Sequence, residues 1–190
     1  MSAPGHQPAG ETALVLVPPH DICAYADHYR RLYMPETSEQ IEPHVLVLYP
    51  FAPADIVHRE QDRLRHALSR IEPFYLSLRG FDTFPMFGML YIRLSHPERV
   101  VALYRAVYSE FPEYPIYGGQ AGADFTPHLA VGQFEDPAEL DRVYADLSAQ
   151  RLYIGWTVER VAVKYRRIDG LWDTWAELPL GTPPAGSGSA

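Results

Sequence analysis

Two segments of the chain repeat one another. Pro43-His44-Val45-Leu46-Val47 runs on to Phe51, and Pro127-His128-Leu129-Ala130-Val131 runs on to Phe134. Each opens an apolar run containing β-branched residues with a histidine, and one lies in each half of the 190-residue sequence. Such runs favour strands. A chain of this kind therefore heads one strand in each copy of a doubled unit with a histidine, an arrangement that brings two imidazoles to one cleft.

The surrounding pattern repeats as well. Residues 12–17 read as a buried strand, and residues 21–33 carry Ile22, Tyr25, Ala26, Tyr29 and Leu32 at helical spacing. The first histidine strand spans residues 44–51. Residues 55–71 form an amphipathic helix with Leu64, Ala67 and Leu68 inward and Arg59, Asp62 and Arg65 outward. Strands follow at residues 74–84 and 89–94. Ser95-His96-Pro97-Glu98 is expected as a capping box with proline at the first helical position, opening a helix to about residue 111. A glycine- and proline-rich loop leads to the second histidine strand, residues 127–134. Asp136-Pro137-Ala138-Glu139 then caps a helix to about residue 150. Residues 157–166 and 171–178 close the chain as a hairpin turning at Asp169-Gly170.

The order is β-α-β(His)-α-β, twice, plus the hairpin. It predicts an α+β fold of two lobes built from duplicated β-α-β units, with antiparallel sheets lining a central groove and helices outside. Residues 1–10 and 181–190, rich in Gly, Pro, Ser and Ala, are expected as disordered tails around a single domain over residues 11–180. Alternation places His44, Leu46 and Leu48 on one strand face, and His128, Ala130 and Gly132 on another.

Composition narrows the function. A formal charge of −8 argues against an extended nucleic-acid surface, which needs many cations to neutralise phosphates, and leaves room for a small anion in a local pocket. The one cysteine, Cys23, has no partner for a disulfide or thiolate metal site and reads as a small buried residue. The remaining histidines lack ligand spacing, so no metal is expected. No glycine-rich phosphate loop is present, and no cofactor is expected. The apolar stretch at residues 13–17 is far too short to span a bilayer. These features predict a cytoplasmic monomer with no membrane contact.

A lone histidine heading a strand is ordinarily a half-buried imidazole bonded to backbone. A repeat-related pair has a further use: near neutral pH one ring takes a proton from a nucleophile while the other gives one to a leaving group. Opening a cyclic phosphate or transesterifying a phosphodiester needs that division of labour.

The segments Glu42-Pro43-His44-Val45-Leu46-Val47-Leu48-Tyr49-Pro50-Phe51 and Thr126-Pro127-His128-Leu129-Ala130-Val131-Gly132-Gln133 resemble the two motifs of the two-histidine phosphoesterase superfamily, which includes 2′-5′ RNA ligase-like proteins and cyclic nucleotide phosphodiesterases. The resemblance covers nearly all of the expected folded region. It implies a bilobal fold with a central groove, and hydrolysis or formation of 2′,3′-cyclic or 2′-5′ phosphate linkages in a small nucleotide or RNA end by His44 and His128.

The motifs also depart from that family, whose members usually carry Thr or Ser two residues after each histidine to donate to the phosphate. Leu46 and Ala130 stand there instead. Each lost donor to a developing oxyanion costs on the order of 10²-fold or more. Two readings follow. In one, other groups hold the substrate, drawn from Tyr49, Tyr91, Arg93, Gln133, Lys164 and Arg166, although Arg93, Lys164 and Arg166, each taken alone, read rather as solvated charge on a sheet edge. In the other, the fold is a catalytically degenerate binding module in which Leu46 and Ala130 shape an apolar pocket.

Overall fold

The computed structural model describes residues 10–120 and 125–181; the expected tails lie largely outside these, as do residues 121–124 of the loop before the second histidine. In chain order the elements are β1 (Thr12–Leu16), α1 (His20–Tyr33), α2 (Pro35–Gln40), β2 (Val45–Leu48), α3 (Ala54–Arg59), α4 (Gln61–Ser69), β3 (Phe74–Phe84), β4 (Met89–Leu94), α5 (Pro97–Glu110), β5 (His128–Gln133), α6 (Pro137–Ser148), β6 (Ile154–Val158), β7 (Arg160–Arg166) and β8 (Trp172–Pro179). The doubled β-α-β-α-β order and the closing hairpin are both present. No helix among the described residues is long and apolar enough to cross a membrane.

The two expected sheets are halves of one. All eight strands join in the order β6-β3-β4-β5-β2-β1-β7-β8, every pair antiparallel. The histidine strands β2 and β5 are neighbours at its centre. Each half is backed by helices, and the helices are exchanged: α1 leaves β1 yet packs on β5, while α5 leaves β4 yet packs on β2. Leu14, Leu16, Val45, Val47, Leu129 and Val131 share one large core with residues of both helices. The opposite face, which forms the groove, carries a second, smaller apolar cluster of Ala13, Val15 and Ala162, with Leu46, Tyr49 and Trp172 against it.

Three sequence expectations are corrected. The strand expected at 157–166 is two strands, since β6 pairs with β3 in one half and β7 with β1 in the other, the crossing made at the single residue Glu159. Glu159 and Arg160 are consecutive exposed residues, and that slip in alternation marks the crossing. The helix expected at 55–71 bends at Glu60 into α3 and α4. Ser95 does not cap α5; its hydroxyl accepts from the Ser77 backbone N–H at 3.2 Å, tying β4 to β3, while Asp136 does cap α6 by accepting from Ala138 N–H at 2.9 Å.

The expected faces are also corrected, at the same place in both copies. Val15 pairs with Leu46 but Leu14 with Leu48, leaving Val47 as an extra residue; Tyr91 pairs with Ala130 but Leu90 with Gly132, leaving Val131 extra. Each bulge turns the following residue over. Leu48 and Gly132 therefore face the core, and only His44, Leu46, His128 and Ala130 remain on the groove side. At Gly132 a Cβ would meet the Phe134 ring at 2.8 Å and Tyr33 Cβ at 3.0 Å, so glycine is what allows α1 its close approach. Gly132→Ala is expected to cost about 1–3 kcal/mol by overpacking; an unchanged urea midpoint would contradict this packing.

Candidate active site

The strand register sets the two histidines side by side. Val45 faces Leu129 across the β2–β5 pair, so His44 lies opposite Ala130 and His128 opposite Leu46. The histidines are thus diagonal neighbours on one face, about 7 Å apart at the backbone by ordinary sheet geometry.

Both rings are oriented by the same local device. His44 Nδ1 lies 2.8 Å from the carbonyl oxygen of Glu42, and His128 Nδ1 lies 2.8 Å from that of Thr126, in each case two residues earlier. A carbonyl only accepts, so Nδ1 carries the proton and donates. Each neutral ring therefore keeps its lone pair on Nε2, the atom free for proton transfer. Burial lowers both pKa values, that of His44 from 6.5 to about 4, with the Glu42 backbone bond opposing the shift and the positive charges of Arg30 and Lys164 adding to it. Both rings are neutral near pH 7 while no anion lies between them.

Their surroundings differ. His128 sits against Phe84 and Tyr91, each ring centroid 5.1 Å away, and those two rings stack on one another at 4.2 Å. Arg93 lies directly across the strand from His128, exposed, with Asp82 3.9 Å from its Nε. His44 instead follows a clamped segment. Arg30 and Lys164, the two buried cations among the described residues, converge on the residues just before Pro43. Arg30 donates to the Ile41 carbonyl at 2.5 Å and pairs with Asp27 at 2.9 Å. The Lys164 ammonium pairs with the Glu42 carboxylate and donates to Thr174 Oγ1 at 2.5 Å.

Of the residues named from the sequence, the fold gathers His44, His128, Leu46, Ala130, Tyr91 and Arg93. Lys164 flanks them, its charge already taken by Glu42. Tyr49 and Arg166 meet elsewhere on the groove face, both on the Glu11 carboxylate at 3.1 and 3.3 Å. Gln133 is drawn away, its side-chain amide donating to the Phe87 carbonyl at 2.5 Å. Glu42 and Arg30 were missed. A backbone carbonyl leaves no side-chain signature, but Arg30 stands four residues after Ala26 on the apolar stripe of α1, a legible place for a buried charge. Cys23 is no nucleophile: its Sγ contacts the Pro18 carbonyl at 3.2 Å, and burial pushes the thiol up to about 11. Among the described residues no three His, Cys, Asp or Glu side chains converge as metal ligands would.

A family model described as the 2′-5′ RNA ligase superfamily matches residues 18–170. The chain belongs to that superfamily. Membership accords with the two-histidine phosphoesterase resemblance drawn from the Pro-His motifs. An RNA 2′,3′-cyclic phosphodiesterase of Methanothermobacter thermautotrophicus is 29% identical over 90 residues, 46% of this chain and 47% of that protein, so the match spans about half the length of this curated relative. The crystal structure of a Thermus thermophilus protein superposes with a TM-score of 0.61 at 18% identity, covering 90% of this chain and 97% of that one. Escherichia coli LigT complexed with 3′-AMP gives 0.60 at 13% identity, covering 92% and 99%. This superfamily member shares their fold.

Two measurements follow from the site's electrostatics. An unfolded histidine protonates near 6.5, whereas folded His44 resists down to about 4; between those values the unfolded chain binds more protons, so stability falls as pH drops through that window. Urea midpoints are expected to fall accordingly, less steeply in His44→Gln, and an NMR titration placing His44 near 6.5 would refute the burial argument. Lys164→Met leaves Glu42 without its partner and is expected to cost on the order of 1–3 kcal/mol by the same denaturation assay.

Proposed function

We propose that this chain is a metal-independent phosphodiesterase acting on the 2′,3′-cyclic phosphate, or a 2′-5′ linkage, of a small nucleotide or RNA end, with His44 and His128 as its acid–base pair. One observation carries the reading: two neighbouring imidazoles, each tied through Nδ1 to a carbonyl two residues earlier, present two Nε2 atoms to one groove.

The chemistry follows from the charges. A phosphodiester anion between the rings raises the pKa of both, so that one binds a proton and the other stays neutral. The neutral Nε2 takes a proton from water as its oxygen bonds to phosphorus. The phosphorus–oxygen bond to one ribose oxygen breaks, that oxygen takes the proton of the imidazolium, and a phosphomonoester results. Arg93, across the strand from His128, is the cation placed to meet the phosphate, while Phe84 and Tyr91 wall the His128 side. Leu46 and Ala130 supply no donor, so more of the oxyanion stabilisation falls to Arg93. The reaction belongs to a monomeric protein working in the cytoplasm, where RNA ends are produced.

A second reading, a binding module without turnover, is favoured by Leu46 and Ala130 alone. Hydrolysis of a panel of 2′,3′-cyclic nucleotides decides between them. His44→Ala and His128→Ala are each expected to lower kcat by about 10²–10⁴-fold, and Arg93→Ala to lower kcat/KM by about tenfold or more. A wild type as inert as both histidine variants overturns the catalytic reading. Activity gained by an otherwise inert chain on Leu46→Thr with Ala130→Thr would identify the module as a lapsed enzyme.

A further inference from the structure

Beyond His128 the groove face continues over one half of the sheet, and its register forms a row. Arg93 lies opposite His128. On β3, Leu78 pairs with Leu94 and Phe81 with Ile92, which leaves both Arg79 and Gly80 facing Arg93. On β6, Ile154 pairs with Leu78, so the preceding residue, Tyr153, comes opposite Arg79. The Arg79 guanidinium rests 4.3 Å over the Tyr153 ring. At one strand spacing per step, Arg79 and Tyr153 lie about 10 and about 15 Å from His128.

The bulge in β3 falls at this row. Gly80 adopts φ of +99°, and a Cβ there would stand 3.8 Å from Arg93 Nη2 and 3.6 Å from the Gln150 carbonyl. Those are ordinary contacts, so it is the positive φ that calls for glycine, which accepts that backbone without strain. Arg79 has no ion-pair partner among the described residues, and Tyr153 is 69% exposed. A cation stacked on an open aromatic ring, in a chain of net charge −8, is a local and uncompensated feature.

The other half of the sheet has no such row. Val45 pairs with Leu16, so Val17 stands across from His44 where Arg93 stands across from His128. Its groove face is Ala13, Val15 and Ala162, at most 4% exposed and packed beneath Tyr49 and Trp172. The cations of that half, Lys164 and Arg166, are already held by the Glu42 and Glu11 carboxylates.

We propose that the groove runs from His128 to the β6 edge as a track for single-stranded RNA, with Arg79 meeting the phosphate next to the one at the histidines and Tyr153 stacking on the neighbouring base. The proposal deepens the phosphodiester reading, from which it takes the position of the reacting phosphate, and makes the preferred substrate an oligonucleotide end rather than a mononucleotide. Aromatic stacking and one cation per phosphate are the two contacts that single strands use without regard to sequence.

The test is equilibrium binding, so that it stands apart from turnover. Fluorescence anisotropy with a labelled tetraribonucleotide ending in a 3′-phosphate is compared with displacement by 3′-UMP. Wild type is expected to bind the tetranucleotide more tightly than 3′-UMP. Arg79→Gln and Tyr153→Ala are each expected to weaken the tetranucleotide about tenfold and leave 3′-UMP unchanged, with Arg79→Gln lowering the salt slope by about 0.7. Both side chains are exposed, so the fold tolerates their loss. Unchanged tetranucleotide affinity, equal losses for both ligands, or no preference for the longer ligand in wild type would each overturn the track. An inert wild type that still binds through Arg79 and Tyr153 would end the catalytic reading and leave the track standing.

Discussion

The pairing of β2 with β5 is the constraint on which the rest of the site depends. It joins the two copies of the unit into one sheet, and because its strands are antiparallel it must set the heads of both histidine strands on the same face, one residue pair either side of Val45 and Leu129. No loop has to close and no lobe has to rotate for the two rings to meet. Backbone geometry alone does it, and carbonyls two residues upstream turn both rings the same way. Orientation by main chain is robust to substitution, since no side chain has to be kept to maintain it.

Around that shared frame the copies have diverged electrostatically. Two buried cations hold the segment leading into His44 and add their charge to the burial that keeps its ring neutral. His128 is packed against a stacked pair of aromatic rings and faces an exposed arginine. A symmetric skeleton with unequal surroundings suits proton transfer, which needs two similar groups in different states. The bulges serve the same end. By sending Leu48 and Gly132 into the core they break the row of groove-facing side chains just after Leu46 and Ala130, the residues beside the histidines.

Much of this is legible in the amino-acid sequence. Helical spacing and the Asp136 cap located α1, α5 and α6, and the Pro-His repeat located both rings. What escaped reading were facts about partners. Nothing in residues 157–166 says that Val158 pairs with Phe74 in one half of the sheet and Val161 with Leu178 in the other; only the two exposed residues between them hint at it. Period-two alternation assumes an unbroken ladder, so it mispredicted Leu48 and Gly132, the first residues beyond a bulge. Lys164 read as a groove cation, but its counter-charge lies 122 positions earlier, at Glu42, a distance that no local pattern bridges. Ser95 read as a cap because its neighbours fit one, while the neighbouring strand had prior claim on its hydroxyl.

The exchange of helices carries a consequence for the history of such a chain. Because α1 rests on the strand of the second copy and α5 on the strand of the first, a lone unit has no surface of its own on which to seat its helix. An ancestor of half this length would have had to live as an intertwined pair, each molecule sheltering the other's apolar stripe and lending it an imidazole. Fusion of the two would then have freed the halves to specialise, one toward a stiffly held ring and the other toward a polar margin, without losing the interlock that made either of them fold.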